Sequence, residues 1–108
     1  MSERSVQDFI KDLVTQNQVM LFMKGNKFFP ACGFSARSVQ ILKANGATFE
    51  TFDVLSDPEV RSGIKDFAQW PTIPQLYING EFLGGSDIMT EMHEKGELKT
   101  MIGGLSAN

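Results

Sequence analysis

The sequence predicts an α/β protein with a four-stranded mixed sheet that helices cover on both faces. Segments with apolar residues at helical spacing alternate with short apolar runs typical of buried strands. A right-handed crossover through a helix makes the first two strands parallel. The pair Asn79-Gly80, which favours a two-residue hairpin turn, makes the last two strands antiparallel. Parallel and antiparallel pairs therefore occur in one sheet.

Four segments have the spacing of amphipathic helices, and each is flanked by residue types that begin or end helices. Serine and aspartate accept hydrogen bonds from the first free N–H groups, and an Asn-Gly pair ends a helix. These helices run from Ser5 to near Asn17, from Cys32 to Asn45-Gly46, from Asp57-Pro58 to near Trp70-Pro71, and onward from a cap at Ser86 or Asp87. One last short helical turn is expected around Leu98, Met101 and Ile102.

Four short runs rich in β-branched, aromatic and other apolar residues are predicted strands. They are residues 19–23, 48–54, 75–78 and 81–83. With the helices between them, they give the element order of a thioredoxin-like fold. The chain contains no internal repeat and no low-complexity linker, so we expect residues 1–108 to form one domain.

Composition excludes several classes of function. The 108 residues carry a formal net charge of −3, and the ten Lys and Arg are scattered, which argues against a nucleic-acid surface. The longest apolar run, Val19 to Met23, is too short to cross a bilayer, and the polar first residues do not form a secretory signal. A single cysteine suits a reducing compartment. We expect a cytoplasmic protein, although a mature organellar form would look the same.

Cys32 is the only cysteine, and it stands where a turn enters the second predicted helix. Free N–H groups and the positive end of the helix dipole favour the thiolate, the form that attacks disulfides and binds metals. Ser35 occupies the position of the second sulfur in a Cys-x-x-Cys motif, so any redox cycle or closed metal site needs sulfur from elsewhere. We expect Ser35 either to cap the helix or to donate to the Cys32 sulfur.

Several motifs resemble those of one family when they occur together in this order. They are KG at 24–25, CGFS at 32–35, WPTIPQLYI at 70–78 and GGSDI at 84–88. The combination resembles single-domain monothiol glutaredoxins of the CGFS type, and the resemblance extends from about residue 5 to residue 104.

The resemblance implies a glutathione site. Its implied residues are Lys24, Cys32, Arg61, Thr72, Ile73, Gly85, Ser86 and Asp87. The two cations would hold the glycyl carboxylate by charge-assisted contacts. A cis-proline at position 74 would expose the main chain of Ile73 for strand-like pairing with the ligand. The start of the last long helix would bind the other carboxylate, and the Asp87 side chain would accept the ammonium group.

Ordinary structural roles compete with these assignments. Lys24 and Arg61 could be solvated surface charges. We expect Trp70 mainly to cover the core, and Phe34 to be an exposed aromatic beside the sulfur. His93, the only histidine, is expected to be a surface residue rather than a ligand.

Two functions fit the implied site. In the first, a two-iron, two-sulfur cluster takes four thiolates, with Cys32 and one glutathione sulfur from each of two chains, and cluster binding would make the chain a homodimer. Such a protein would pass clusters to apo iron–sulfur proteins, contribute to iron homeostasis and could pair with a BolA-like protein. In the second, Cys32 performs glutathione-dependent monothiol disulfide exchange. The resemblance implies that the insertion at residues 26–30 disfavours this second activity.

Overall fold

A computed structural model describes residues 5–105. The helices are α1 (Val6–Gln16), α2 (Gly33–Ala44), α3 (Pro58–Ala68), α4 (Ser86–Glu94) and α5 (Glu97–Gly103). The strands are β1 (Val19–Met23), β2 (Glu50–Asp53), β3 (Gln75–Ile78) and β4 (Glu81–Gly84). A 3-10 turn, Val54–Ser56, joins β2 to α3.

The four strands form one mixed sheet in the order β2-β1-β3-β4. β1 pairs with β2 in parallel and with β3 antiparallel, and β3 pairs antiparallel with β4. Asn79 and Gly80 join the last two strands with φ angles of 52° and 82°. Two positive φ angles define the turn type that Asn-Gly favours. The predicted fold class and hairpin are confirmed.

Helices cover both faces of the sheet, which explains why every residue of β1 is buried. Successive side chains of a strand point to opposite faces. Leu21 and Met23 therefore pack in a core with α2, α4 and α5. Met20 and Phe22 pack on the other face, in a core with α1 and α3.

Side-chain caps fix the starts of two helices where the sequence predicts them. Ser5 Oγ accepts a hydrogen bond of 3.1 Å from Asp8 N at the start of α1. Asp57 Oδ1 accepts from Glu59 N and Val60 N at 3.0 and 3.3 Å at the start of α3. Each carboxylate or hydroxyl satisfies donors that the helix itself leaves free.

The predicted cap of α4 is wrong. Gly85, in extended conformation, is the N-cap, and no side chain caps this helix. Its carbonyl accepts from Met89 N at 3.1 Å, which makes Ser86 and Asp87 the first two helical residues. The side chains of Ser86 and Asp87 are therefore not used to begin the helix.

The second strand is shorter than the predicted segment 48–54. Asp53 Oδ1 accepts a hydrogen bond of 2.9 Å from Leu55 N and thereby stabilises the 3-10 turn that begins at Val54. The turn takes Val54 out of the sheet, although its side chain is fully buried.

Candidate functional site

Cys32 is the N-cap of α2, with extended φ and ψ angles of −150° and 159°. Its sulfur is partly buried, accepts a hydrogen bond from Ser35 N at 3.4 Å and lies 3.3 Å from Ser35 Oγ. Cysteine thus takes the place that serine, threonine or aspartate fills at most helix starts. The sulfur faces the free N–H groups of the first turn.

The surroundings of Cys32 favour its thiolate. Burial of the sulfur on its own raises the pKa, but the Ser35 side chain, the backbone N–H groups of Ser35 and Phe34 and the charge of Lys24 together bring it below the usual 9.0. Hydrogen bonds to the anion and a nearby cation both stabilise the charged form. A larger fraction of this thiol is therefore nucleophilic near neutral pH than of a free cysteine.

Ser35 connects the sulfur to the end of β1. It is fully buried, and its Oγ accepts a hydrogen bond of 3.1 Å from Lys24 N. With Lys24 N–H as the donor on one side, the serine proton is free to point to the thiolate on the other. Of the two roles predicted for Ser35, capping is wrong because Cys32 itself is the cap, and the geometry fits donation to the sulfur.

The loop before Cys32 has its own hydrogen bonds. Gly25 has a φ of 84°, and its N–H donates to Asp53 Oδ1 at 2.9 Å. Asn26 Oδ1 accepts from Phe28 N and Phe29 N at 2.8 and 3.0 Å. These bonds fold the loop tightly while both phenylalanine rings stay exposed, at 73% and 80%.

A cavity of about 250 Å³ lies beside the first turn of α2. It is lined by Phe34 and by residues of the segments before β3 and around the start of α4: Trp70, Thr72, Ile73, Pro74, Gly85, Ser86, Asp87 and Ile88. The Ile73–Pro74 peptide bond is cis, as predicted. A Cβ added to Gly85 would lie 3.2 Å from Pro74 O, so the two segments approach each other closely there.

The structure brings five of the predicted site residues together in this cavity: Thr72, Ile73, Gly85, Ser86 and Asp87. Cys32, Lys24 and Arg61 do not line it. Cys32 is adjacent, because Phe34 of the same helical turn forms part of the wall. Lys24 follows β1 and acts on the sulfur through its charge, whereas Arg61 is partly buried on α3. Neither cation makes a salt bridge within residues 5–105.

Phe34 is 65% exposed, as expected. Trp70 covers the core less than predicted: its ring centroid lies 5.8 Å from that of Phe82, but 42% of the residue stays exposed and it lines the cavity. His93 is partly buried, with its Nδ1 3.0 Å from Asn45 Nδ2, so it is not a free surface residue. It does not line the cavity.

Gln75 was predicted only as a strand residue, but its side chain bonds to the segment that forms part of the cavity wall. Its side chain is completely buried, and its Nε2 donates to the carbonyl oxygens of Trp70 and Thr72, both at 3.1 Å. The signal in the sequence is a polar residue that opens an otherwise apolar strand.

The described residues also form a second cavity, away from the residues that surround Cys32. This larger cavity, of about 790 Å³, is lined by none of the predicted site residues. Between residues 5 and 105, no three His, Cys, Asp or Glu side chains form a cluster that could hold a metal ion. No helix in the same part of the chain is long and apolar enough to cross a membrane.

Comparisons with known proteins all point to one family. The family model for glutaredoxin matches residues 19–83. The monothiol glutaredoxin ycf64-like protein of Synechocystis is 60% identical over 93 residues, which are 86% of this chain and 87% of that protein. Monothiol glutaredoxin-S17 of Arabidopsis thaliana is 49% identical over 93% of this chain, which spans only 20% of that longer protein.

The solution structure of reduced poplar apo GrxS14 has 47% sequence identity and a TM-score of 0.80. The match covers 91% of this chain and 90% of the poplar chain. The structural similarity agrees with the fold described above. The chain therefore belongs to the glutaredoxin family, and it is similar over most of its length to monothiol glutaredoxins.

Proposed function

We propose that the protein binds glutathione beside Cys32 and carries a two-iron, two-sulfur cluster between two copies of the chain. The observation that carries the proposal is a single activated thiol next to a preformed cavity. Cys32 has a lowered pKa, and the cavity beside it combines apolar side chains with the start of a helix. Sites for small ligands typically combine such walls with a few polar groups.

Glutathione has one thiol, one ammonium and two carboxylate groups, and each of the three charged groups has a candidate receptor. The backbone N–H groups of Ser86 and Asp87 begin α4, and no side chain caps them, which favours a carboxylate. The exposed Asp87 side chain suits the ammonium group. Ile73 lies two residues before the start of β3, and its main chain suits strand-like pairing with the peptide.

Lys24 and Arg61 are the proposed partners of the second carboxylate. Both side chains lack a salt bridge within the described part of the chain, so binding a ligand would not break an existing ion pair. A charge-assisted hydrogen bond from either cation contributes about 1.5–3 kcal/mol where water is excluded. Thr72 and Gly85 complete the proposed site, the former in the wall and the latter where the two segments approach closely.

The cluster is the cargo of this protein in our proposal. A cluster of this type usually takes four thiolates, and each chain provides one, Cys32. Two chains and two glutathione molecules supply the four. Because half of these ligands are non-covalently held small molecules, the cluster is readily released to apo iron–sulfur proteins. A BolA-like protein would replace one copy of the chain, and this exchange would link cluster transfer to iron homeostasis.

Exposed aromatic side chains near the sulfur support the pairing of two copies. Phe28, Phe29 and Phe34 lie within four residues of Cys32 in sequence and are 73%, 80% and 65% exposed. Aromatic residues are enriched in the buried centres of protein interfaces. A cluster at Cys32 would bring these surfaces of two chains together. With its single cysteine, the protein is suited to a reducing compartment, and we propose the cytoplasm.

The second candidate is glutathione-dependent disulfide exchange. The lowered pKa of Cys32 favours it, because the thiolate attacks the disulfide of a glutathionylated protein. A second glutathione would then release the adduct, so no further cysteine is required. This activity and cluster binding use the same sulfur and the same glutathione site.

An anaerobic absorption spectrum tests the first function. The protein is mixed with iron, sulfide and glutathione, and we expect visible charge-transfer bands that are lost in Cys32→Ser. Serine keeps the approximate shape of the site but provides no thiolate. A colourless wild-type protein that still binds glutathione would contradict cluster transport and favour disulfide exchange. A wild-type protein that binds no glutathione would contradict both functions.

A further inference from the structure

Gln75 is a buried polar side chain whose bonds lead to the wall of the cavity. Its exposure is 0%, and its Nε2 donates to Trp70 O and Thr72 O, both at 3.1 Å. Its Oε1 accepts a hydrogen bond of 3.0 Å from the hydroxyl of Tyr77. Both hydrogens and the oxygen of the amide are therefore in use.

The orientation of this amide follows from its partners. The carbonyl oxygens of Trp70 and Thr72 only accept hydrogen bonds, so the NH₂ group must face them. The oxygen is left for the hydroxyl of Tyr77, a residue that is 1% exposed. Burial raises the pKa of Tyr77 far above its ordinary value, so the hydroxyl keeps its proton and remains a donor.

The position of Gln75 in the sheet makes an amide unexpected. All four residues of β3 are buried, and the other three are apolar or aromatic. Burying an amide is costly unless its hydrogen bonds are replaced. Here the replacements lie outside the strand, in residues 70–72, a segment with no regular secondary structure that precedes Ile73. The amide thus connects the rigid sheet to that segment.

We propose that Gln75 is a positioning residue for the ligand: it fixes residues 70–72 so that Trp70, Thr72 and Ile73 form the wall against which glutathione binds. The proposal rests on the proposed glutathione site. Without the amide, two carbonyl groups lose their side-chain donor, and the segment can leave its binding conformation. Glutathione must then order the segment when it binds, which lowers its affinity.

Gln75→Met tests this role, because methionine has a similar length but cannot donate a hydrogen bond. We expect glutathione affinity, measured by calorimetry, to fall about tenfold, because the two hydrogen bonds to Trp70 O and Thr72 O are lost. Trp70 is the only tryptophan, so its fluorescence reports the segment directly. Its emission should shift to longer wavelength in the variant as the indole becomes more exposed.

Ile78→Ala is the matched control on the same strand. Ile78 is 7% exposed and belongs to the core on the opposite face from Tyr77, so this variant loses stability without changing the bonds of Gln75. It should retain wild-type affinity and emission. An equal loss of affinity in Ile78→Ala would show a general effect of destabilisation and overturn the inference.

Tyr77→Phe provides a second, milder test should Gln75→Met fail to fold. It removes only the donor to Gln75 Oε1, and we expect a two- to threefold loss of affinity with a smaller emission shift. Unchanged affinity and emission in the folded Gln75 variant, or in Tyr77→Phe if that is the only one to fold, would overturn the positioning role and leave the glutathione site intact. A wild-type protein that does not bind glutathione would instead overturn the proposed function.

Discussion

At the scale of single residues, the Ser35 hydroxyl makes two contacts, one with the main chain after β1 and one with the reactive sulfur. It accepts from Lys24 N at 3.1 Å, which joins α2 to the end of β1, and it lies 3.3 Å from the Cys32 sulfur. The position resembles that of the second sulfur in a Cys-x-x-Cys pair, but a hydroxyl cannot form a disulfide. Ser35 therefore stabilises the thiolate but cannot displace a group that is bound to Cys32 through a disulfide.

Replacing this hydroxyl should make Cys32 less reactive. In Ser35→Ala the side-chain hydrogen bond that lowers the pKa of Cys32 is lost, so the pKa rises. The thiolate fraction near neutral pH then falls, and the pH profile of alkylation should shift to higher pH. The measurement is the rate of iodoacetamide alkylation as a function of pH.

Ser38→Ala is the control for this prediction. Ser38 is also fully buried on α2, but its hydroxyl donates to Phe34 O at 3.0 Å. Its alkylation profile should match that of the wild type. If Ser35→Ala kept the wild-type profile as well, the hydroxyl would have no influence on the sulfur.

Cys32 could be identified from the sequence because it is the only thiol and precedes a helical segment. Gln75 could not, because a single polar residue at the start of a strand has many explanations. The carbonyl oxygens that it binds belong to residues three and five positions earlier, in a segment with no regular secondary structure. Periodicity contains no information about such main-chain contacts.

At the scale of elements, the loop between β1 and α2 depends on Gly25. Its φ of 84° lies in a region that other residues rarely adopt. A Cβ at this position would lie 2.6 Å from Ala31 N, which is main chain and cannot rotate away. The loop can keep its short path from Lys24 to Cys32 only with glycine here.

Gly25→Ala should therefore destabilise the protein by about 1–3 kcal/mol, from the unfavourable φ and the main-chain clash together. Urea denaturation followed by circular dichroism measures the free energy of unfolding. Gly103→Ala is the control, since a Cβ there meets nothing within 4 Å, and it should change that free energy little. Equal stability of the two variants would mean that the loop adapts to a side chain.

Element boundaries were predictable where a side chain marks them. Ser5 and Asp57 cap α1 and α3, and both starts were located correctly. At α4 three consecutive residues are good helix starters, and Gly85 caps through its carbonyl group alone. The end of β2 was misplaced because a hydrogen bond from Leu55 N to Asp53, rather than a change in hydrophobicity, ends the strand.

At the scale of the whole molecule, the fold collects residues that are far apart in sequence. Phe34, Ile73 and Ser86 line one cavity although they belong to three separate segments. Helical and strand periodicity predicted the sheet and its two covered faces, but not this convergence. The motif resemblance did suggest it, since the same segments contain the motifs at 32–35, 70–78 and 84–88.

Because the proposed cluster is shared by two chains and two glutathione molecules, we expect the oligomeric state of the protein to depend on glutathione. The cluster-loaded protein should sediment with twice the mass of a single chain, and removal of glutathione should return it to the single-chain mass with loss of colour. The reason is that each chain supplies only one of the four thiolates. Analytical ultracentrifugation at visible and ultraviolet wavelengths measures both changes, with Cys32→Ser as the colourless, undimerised control. A coloured dimer that persists without glutathione would contradict this ligand set.

The reactive sulfur is also part of the secondary structure. As the N-cap of α2, Cys32 presents its sulfur to Ser35 N, and a negative charge at that point interacts favourably with the helix dipole. A neutral mixed disulfide on Cys32 removes that charge. The first turn of α2, which includes the exposed Phe34, is therefore more stable with the free thiolate than with the adduct. The chemical state of the Cys32 sulfur thus changes the local stability of the exposed surface around Phe34.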